Sequence, residues 1–246
     1  EEVEILKKQG VTIPESFHDQ EIDSPRGFKK ALVDYNGIAI IAEAKKASPS
    51  KGIICADFDP VKIAKNYQEN GAQAISVLTD RDFFKGELLY LMQVRRAVGL
   101  PVLRKDFIID TLQIDEAHAL GADAILLIAA ILDEYQIRDF KQQAEELSVD
   151  SLVEVHDEYE LERSLKADAE LIGVNNRNLN DFTVDINTTF RLKKLIPEDI
   201  PVISESGLKS TEELTALRDE GIKGALIGET LMRAGEKSSL LNQLRE

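Results

Sequence analysis

Short apolar runs and amphipathic, charged segments alternate along the whole chain. Eight runs read as buried strands, because each is short, apolar and partly β-branched. They fall at residues 38–45, 74–79, 101–105, 124–129, 151–156, 171–175, 201–206 and 225–228. Between them, residues 60–70, 111–120, 133–147, 158–166 and 211–220 show helical spacing of apolar positions. Three of these helices end in the same punctuation: Asn70-Gly71-Ala72, Leu120-Gly121-Ala122 and Glu220-Gly221-Ile222. Glycine just past a helix supplies the left-handed residue that turns the chain back toward a strand. GAQAISVLT, GADAILLIA and GIKGALIGE form a weak internal repeat.

Strands that recur with helices between them make parallel βαβ units. Eight in 246 residues predict an α/β chain of one (β/α)8 TIM barrel, a fold that takes about 250 residues. An open doubly wound sheet is the alternative, but it usually carries an early glycine-rich dinucleotide loop, and none is read here. The expected domain is a single barrel over residues 1–246. Residues 1–36 form an N-terminal helical extension packed over one barrel mouth, with a mobile tail as the alternative. Phe28, Ala31 and Leu32 sit there at helical spacing. The chain opens on Glu1 rather than Met, so a few residues are expected to precede it.

Charge narrows the partners. Thirty Lys+Arg against 45 Asp+Glu give a net charge of -15. Nucleic acid and anionic membranes both need a basic face, so neither is expected. A small anion needs only a local cluster of positive charge and stays open. Cys55 is the single cysteine, which suits a reducing compartment. No secretory leader and no run long enough to cross a bilayer is read, so a cytoplasmic location is expected; a monomer is carried as the expectation for assembly, which the sequence itself does not give.

The candidate chemistry sits where strands end. In IIAEAKKASPSKG, Glu43 and Lys45 are two residues apart and share a face of the first strand. A structural ion pair would account for them alone. Other ends add Lys105, Asp106 and Phe107; Glu154 and His156; Asn175, Asn176 and Arg177; Glu205, Ser206 and Gly207; Gly228 and Glu229. Active sites of these barrels lie at the C-terminal strand ends, and five such ends would have to be charged by accident. Ser206-Gly207 and Gly228-Glu229-Thr230 join the last two strands to helices, where backbone N–H groups suit a phosphate. His18, His118 and His156 have no metal-ligand spacing, and His118 reads as a surface residue; no metal, nicotinamide or flavin motif is present.

These segments carry a family resemblance. IIAEAKKASPSKG, ISVLTDRDFFKG, PVLRKDFIID, ADAILLIAAIL, LVEVHDEYELE, IGVNNRNLNDFTVD, VISESGL and ALIGETLMRA resemble, in order, the indole-3-glycerol-phosphate synthase family of tryptophan biosynthesis. The GFKKAL segment is similar to that family's N-terminal extension. The resemblance implies decarboxylating, dehydrating ring closure of a phosphorylated small molecule, 1-(2-carboxyphenylamino)-1-deoxyribulose 5-phosphate, with no cofactor or metal. It implies Lys105 as general acid and Glu154 as general base. Lys45 would hold the substrate carboxylate, Glu43 would orient the lysines, and Asn175 and Arg177 would form a polar pair. Ser48 would serve from its loop, and Glu205 would join the substrate contacts. Ser206, Gly207, Gly228 and Glu229 would take the phosphate, the last through its backbone N–H, while Phe84 and Phe107 would wall the aromatic ring. Glu87 and Thr111-Leu112 depart from the family pattern in what read as loops near the mouth, and bear on loop closure rather than reaction type. Whether cations or carboxylates govern the pKa of Lys105 is left open by the sequence. Phosphoribosylanthranilate isomerase, which pairs a Cys with an Asp, fits poorly, since Cys55 lies beyond its strand end. A non-catalytic phosphate-binding barrel fits poorly too, given the complete charged set.

Overall fold

A computed structural model of the chain describes residues 2–17, 22–179, 181–234 and 241. His18 lies outside the described residues. Eight strands close a parallel barrel: β1 Ala39–Ala44, β2 Ala74–Leu78, β3 Val102–Lys105, β4 Ala124–Ile128, β5 Asp150–Val155, β6 Ile172–Asn175, β7 Val202–Glu205 and β8 Gly224–Ile227. β1 pairs with both β2 and β8, which closes the ring. The expected strands agree with these to within one residue at each end. The chain is thus a (β/α)8 barrel.

The helices are α1 Glu2–Gln9, α2 Phe28–Val33, α3 Pro60–Glu69, α4 Arg81–Phe84, α5 Leu88–Ala97, α6 Thr111–Ala119, α7 Glu134–Glu146, α8 Glu158–Lys166, α9 Asn187–Lys193, α10 Thr211–Asp219 and α11 Glu229–Ala234. Their starts are encoded locally. Asp59, Asp80, Asp110, Asp133, Asp157 and Ser210 each accept a backbone N–H of the first turn they cap. Such a cap contributes about 1 kcal/mol. Gly71, Gly121 and Gly221 have φ of 84, 84 and 76°, the conformation expected of them. Thr111 and Leu112 form the first turn of α6 rather than a loop. Glu87 precedes α5 and accepts the Tyr90 hydroxyl at 3.2 Å.

Two apolar layers hold the barrel. One lies between strands and helices, with Ile75, Val102, Ile125, Val153 and Ile172 facing Leu91, Ile114, Ile137 and Leu161. The other fills the barrel itself, where Ile41, Leu103, Leu126, Leu152, Ile203 and Leu226 are buried. At its floor stand Ala39, Ala74 and Ala124, and those small side chains admit Phe28 and Leu32 of α2, both fully buried. Asp123 accepts the Arg26 N–H at 2.6 Å, and Asp150 accepts the Lys29 N–H at 2.8 Å, pinning the start of α2 to the strand starts. The extension therefore does more than cover one mouth. Its second helix plugs the N-terminal end, while α1 packs on α6 near the opposite end, with Lys7 2.8 Å from Asp110.

Candidate active site

The C-terminal ends of the strands carry the charge. Lys105 ends β3, and its ammonium lies between two carboxylates: 3.2 Å from Glu154 Oε2 on β5 and 3.0 Å from Glu205 Oε2 on β7. All three groups are largely withdrawn from solvent, with side-chain exposures of 16, 5 and 1%. Asn175, which ends β6 opposite Glu205, hydrogen-bonds Glu154. Glu43 on β1 holds Lys45 at 2.6 Å, so the pair read from their spacing does form. The neighbouring Asn176 points the other way. Its amide donates to Ser204 and to the Ser206 carbonyl, and its oxygen accepts from Thr189, so it serves the scaffold.

Two glycines make room for this cluster. A Cβ on Gly173 would lie 2.2 Å from Glu205 Oε1, and one on Gly228 would lie 2.3 Å from Glu43 Oε1. The register explains the first, since Gly173 stands across from Glu154 and two residues before the row of Glu205, on the same face of β6 as Asn175. Neither Glu205 Oε1 nor Glu43 Oε2 has a hydrogen-bond partner among the described residues, although both are buried. Leaving buried acceptors unpaired costs about 1–3 kcal/mol each, and such groups concentrate where function requires them.

The electrostatics follow from three carboxylates around one ammonium. Burial opposes the charge on Lys105, but Glu205, Glu154 and Glu43 prevail, and its pKa is raised. This settles the balance left open by the sequence in favour of the carboxylates. Burial likewise opposes ionisation of Glu154, but Lys105 and His156 prevail and hold it below the usual carboxylate range. Glu205 goes the other way: burial dominates, Glu154 repels it, and it is pushed up to about 7 despite Lys105. Two carboxylates on one lysine thus differ in readiness to hold a proton.

A stability consequence follows. Burial and Glu154 make the folded chain hold a proton on Glu205 to a higher pH than the unfolded chain, in which a glutamate loses it near about 4.3. The contribution of that proton is complete below the unfolded value and is lost as pH rises through the folded one. Glu205→Gln is neutral throughout. Between about pH 5 and 8 it is expected to lose less stability than the parent chain, a difference in slope that thermal unfolding at the two pH values reads directly.

His156 is part of the cluster, on the face of Glu154 where its two-residue spacing puts it, although spacing gives it no metal-ligand role. Its Nε2 lies 3.3 Å from Glu154 Oε1 and its Nδ1 2.9 Å from Glu160 Oε2. No sequence signal at Glu160 set it apart from other acidic helix residues. His118 is exposed on α6, as expected.

The rim is made by the loops. Phe84 and Phe107 stand with ring centroids 6.3 Å apart, and Phe83, which the sequence reading passed over, is closer to Phe107 at 5.6 Å. Ser48 lies in a two-residue hairpin, paired with Gly52. The Arg177 backbone N–H donates to Asn175 Oδ1 at 3.0 Å, while its guanidinium turns to the Phe182 carbonyl at 3.4 Å. Lys46, Arg81 and Lys85, with Gly86 and Glu87, line a cleft of about 460 Å³ beside the mouth. This gives an acidic chain a local positive entrance for an anion.

Loops after β7 and β8 meet. The Thr230 hydroxyl donates to the Leu208 carbonyl at 2.7 Å. Ser206 and Gly207 are both left-handed, with φ of 67 and 86°, and a Cβ on Gly207 would lie 2.4 Å from a methyl of Val184. A left-handed serine costs energy that surrounding structure must hold in place. Among the described residues, the nearest approach to a cation site is Glu2, Asp80 and Asp106, whose oxygens lie within 4.8 Å of one another. Asp106 is already engaged by Arg104 and the Thr79 hydroxyl.

Comparison with known proteins adds to this geometry. The family model described as indole-3-glycerol phosphate synthase matches residues 1–244. A protein of that name from Desulfotalea psychrophila is 62% identical over 244 residues, covering 99% of this chain and 94% of the relative. One from Chlorobium phaeovibrioides is 51% identical over 240 residues, covering 97 and 93%. The solved structure of the N-acetylmannosamine-6-phosphate 2-epimerase from Clostridium perfringens superposes with a TM-score of 0.64 at 16% identity, over 89% of this chain and 97% of that one. That likeness reflects the barrel alone.

Proposed function

This chain belongs to the indole-3-glycerol phosphate synthase family, and we propose that Lys105 and Glu154 are the general acid and general base with which it closes the indole ring. The reaction converts 1-(2-carboxyphenylamino)-1-deoxyribulose 5-phosphate to indole-3-glycerol phosphate, with loss of carbon dioxide and water, which makes the enzyme a carbon–carbon lyase of tryptophan biosynthesis.

The observation that carries the assignment is the Lys105 ammonium held between Glu154 and Glu205 at the base of the mouth. A ketone oxygen must take a proton as the ring carbon attacks the ketone carbon and forms the new carbon–carbon bond. Lys105, kept charged by its carboxylates, is a loaded donor for that step. Loss of carbon dioxide restores the aromatic ring. The carbinol then loses hydroxide, again with help from an acid, and the new five-membered ring gives up a proton. Glu154, kept ionised by Lys105 and His156, is ready to take it. Glu205, which the sequence reading grouped with substrate contacts, is assigned to holding Lys105. Lys45, oriented by Glu43, would bind the substrate carboxylate. Asn175 would fix Glu154. Ser48 and Arg177 would contact the substrate from the rim, and Phe84 and Phe107, with Phe83 beside them, would face the anthranilate ring.

The substrate phosphate is assigned to the backbone N–H groups of Ser206-Gly207 and Gly228-Glu229, supported by the linked loops and the left-handed pair. Inorganic phosphate or sulfate at millimolar concentration is expected to bind there in crystals. Density for the anion at another place only, or none, overturns the assignment.

The reading also takes residues 1–246 as one folding unit with residues 1–36 as its extension, acting as a cytoplasmic monomer. No described helix is long and apolar enough to cross a membrane. The direct test is to incubate the purified chain with the substrate and follow indole fluorescence. Binding without a rise in fluorescence would overturn the reading.

A further inference from the structure

Glu154 is served from two sides, and only one of them belongs to the acid–base pair. Oε2 faces Lys105, and Oε1 faces His156. Behind the imidazole stands Glu160 in the first turn of α8. One oxygen of Glu160 lies 2.9 Å from Nδ1 and also accepts the His156 backbone N–H at 2.8 Å. Asp157 caps the helix by accepting the Glu160 N–H at 2.9 Å, which fixes that turn against the end of β5. A carboxylate at this helix position normally satisfies backbone alone. Here it also grips a ring.

Nδ1 is hydrogen-bonded to Glu160, and Nε2 lies within ion-pair reach of Glu154 Oε1 without hydrogen-bond geometry. A carboxylate near each nitrogen favours the imidazolium, because a neutral ring would turn a lone pair toward one of them. Burial opposes the charge, but Glu154 and Glu160 prevail and push His156 up to about 10. The facing groups are few. Glu154 comes from β5 and Glu160 from α8. Arg163, farther along α8, is turned to the Ala129 and Leu132 carbonyls. Around Glu154 stand Lys105 on β3, Asn175 on β6 and Glu205 on β7, with Glu43 on β1 acting on Lys105.

We propose that His156 and Glu160 are a positioning pair for Glu154, in which the imidazolium, braced by Glu160, fixes one carboxylate oxygen so that the other stays with Lys105 and the substrate. The proposal rests on reading Glu154 as the base. Neither residue touches the reacting atoms in this scheme, and both act through Glu154.

The test uses the full chain with Glu160→Gln and His156→Gln. Glu160→Gln keeps the size and an acceptor for the backbone N–H but removes the charge. In the parent chain, NMR of the imidazole signals, with His156 assigned by its loss in His156→Gln, is expected to show His156 titrating far above about 6.5. In Glu160→Gln that titration falls. Turnover is expected to drop about tenfold, part of the hundredfold that an ångström of misplacement costs, with KM within about twofold. The alkaline limb of kcat moves down by about one pH unit as the imidazolium is lost earlier. In His156→Gln the rate falls and that limb disappears. If His156→Gln does not fold, Glu160→Gln carries the test.

A parent His156 that titrates near 6.5 overturns the proposal. So does a Glu160→Gln variant with lowered melting temperature but an unchanged kcat profile, which would mark the pair as structural. The base reading fails separately: Glu154→Gln with near-normal turnover removes it, while the imidazole titration still reports whether the pair exists.

Discussion

Lys105→Arg is expected to lose most of its turnover although the charge is kept. The ammonium sits between Glu154 and Glu205 at 3.2 and 3.0 Å, a gap filled by one compact group. A guanidinium is planar and broad, and it stays protonated up to a pKa above about 12. It could satisfy both carboxylates yet could not pass a proton to a ketone oxygen and take one back. Loss of a positioned acid costs about 10²- to 10⁴-fold, and that range is expected in kcat. Lys45→Arg should be milder, because holding a carboxylate needs only the charge, although its ion pair with Glu43 at 2.6 Å leaves little room for the larger head. Turnover and substrate affinity for both variants check this. If Lys105→Arg keeps more than half the activity, charge alone suffices there and the acid role passes to Lys45.

Glu154→Gln has an expected effect of the same order, about 10²- to 10⁴-fold in turnover with little change in substrate binding. The side chain keeps its shape, and the amide oxygen can still accept from Lys105, so the site should remain assembled. What disappears is a carboxylate that Lys105 and His156 hold ionised. The loss removes one of the carboxylates that raise Lys105, so the ammonium is expected to titrate lower in the variant than in the parent. Single-turnover rates with indole fluorescence separate chemistry from release. Near-normal turnover would move the base to Glu43, whose second oxygen is buried and without a hydrogen-bond partner among the described residues.

Both predictions depend on geometry that sequence reading reached only in part. The residues were found because each ends a strand: Glu43 and Lys45 by their two-residue spacing, Lys105, Glu154, Asn175 and Glu205 by the apolar run before each. Their roles were not all legible. Glu205 reads from its strand end as a substrate contact, and its 3.0 Å approach to Lys105 from a separate strand is not visible in spacing. Two-residue spacing puts His156 on the face of Glu154, but Glu160 reaches it from the next helix, which no strand pattern shows. Phe83 was passed over beside Phe84, since exposure of 56% and a neighbour on the following loop leave no trace in periodicity.

What the chain determines by itself is local. Runs of period two or none, aspartates before helices and glycines after them fix where each element starts and stops, since those signals act within one turn of helix or a few residues of strand. Alternation then fixes which side of each strand faces inward, so Glu154 and Leu152 share a face before any pairing is known. The closed ring decided the rest. Residues 105, 154 and 205 meet only because closure and stagger bring the ends of three separate strands to one height. The same stagger sets Gly173 beside Glu205 and Gly228 beside Glu43, and it opens the alanine floor where α2 enters. Such contacts join positions tens of residues apart, and the energy that selects them comes from burying the whole barrel at once, which no window of sequence contains.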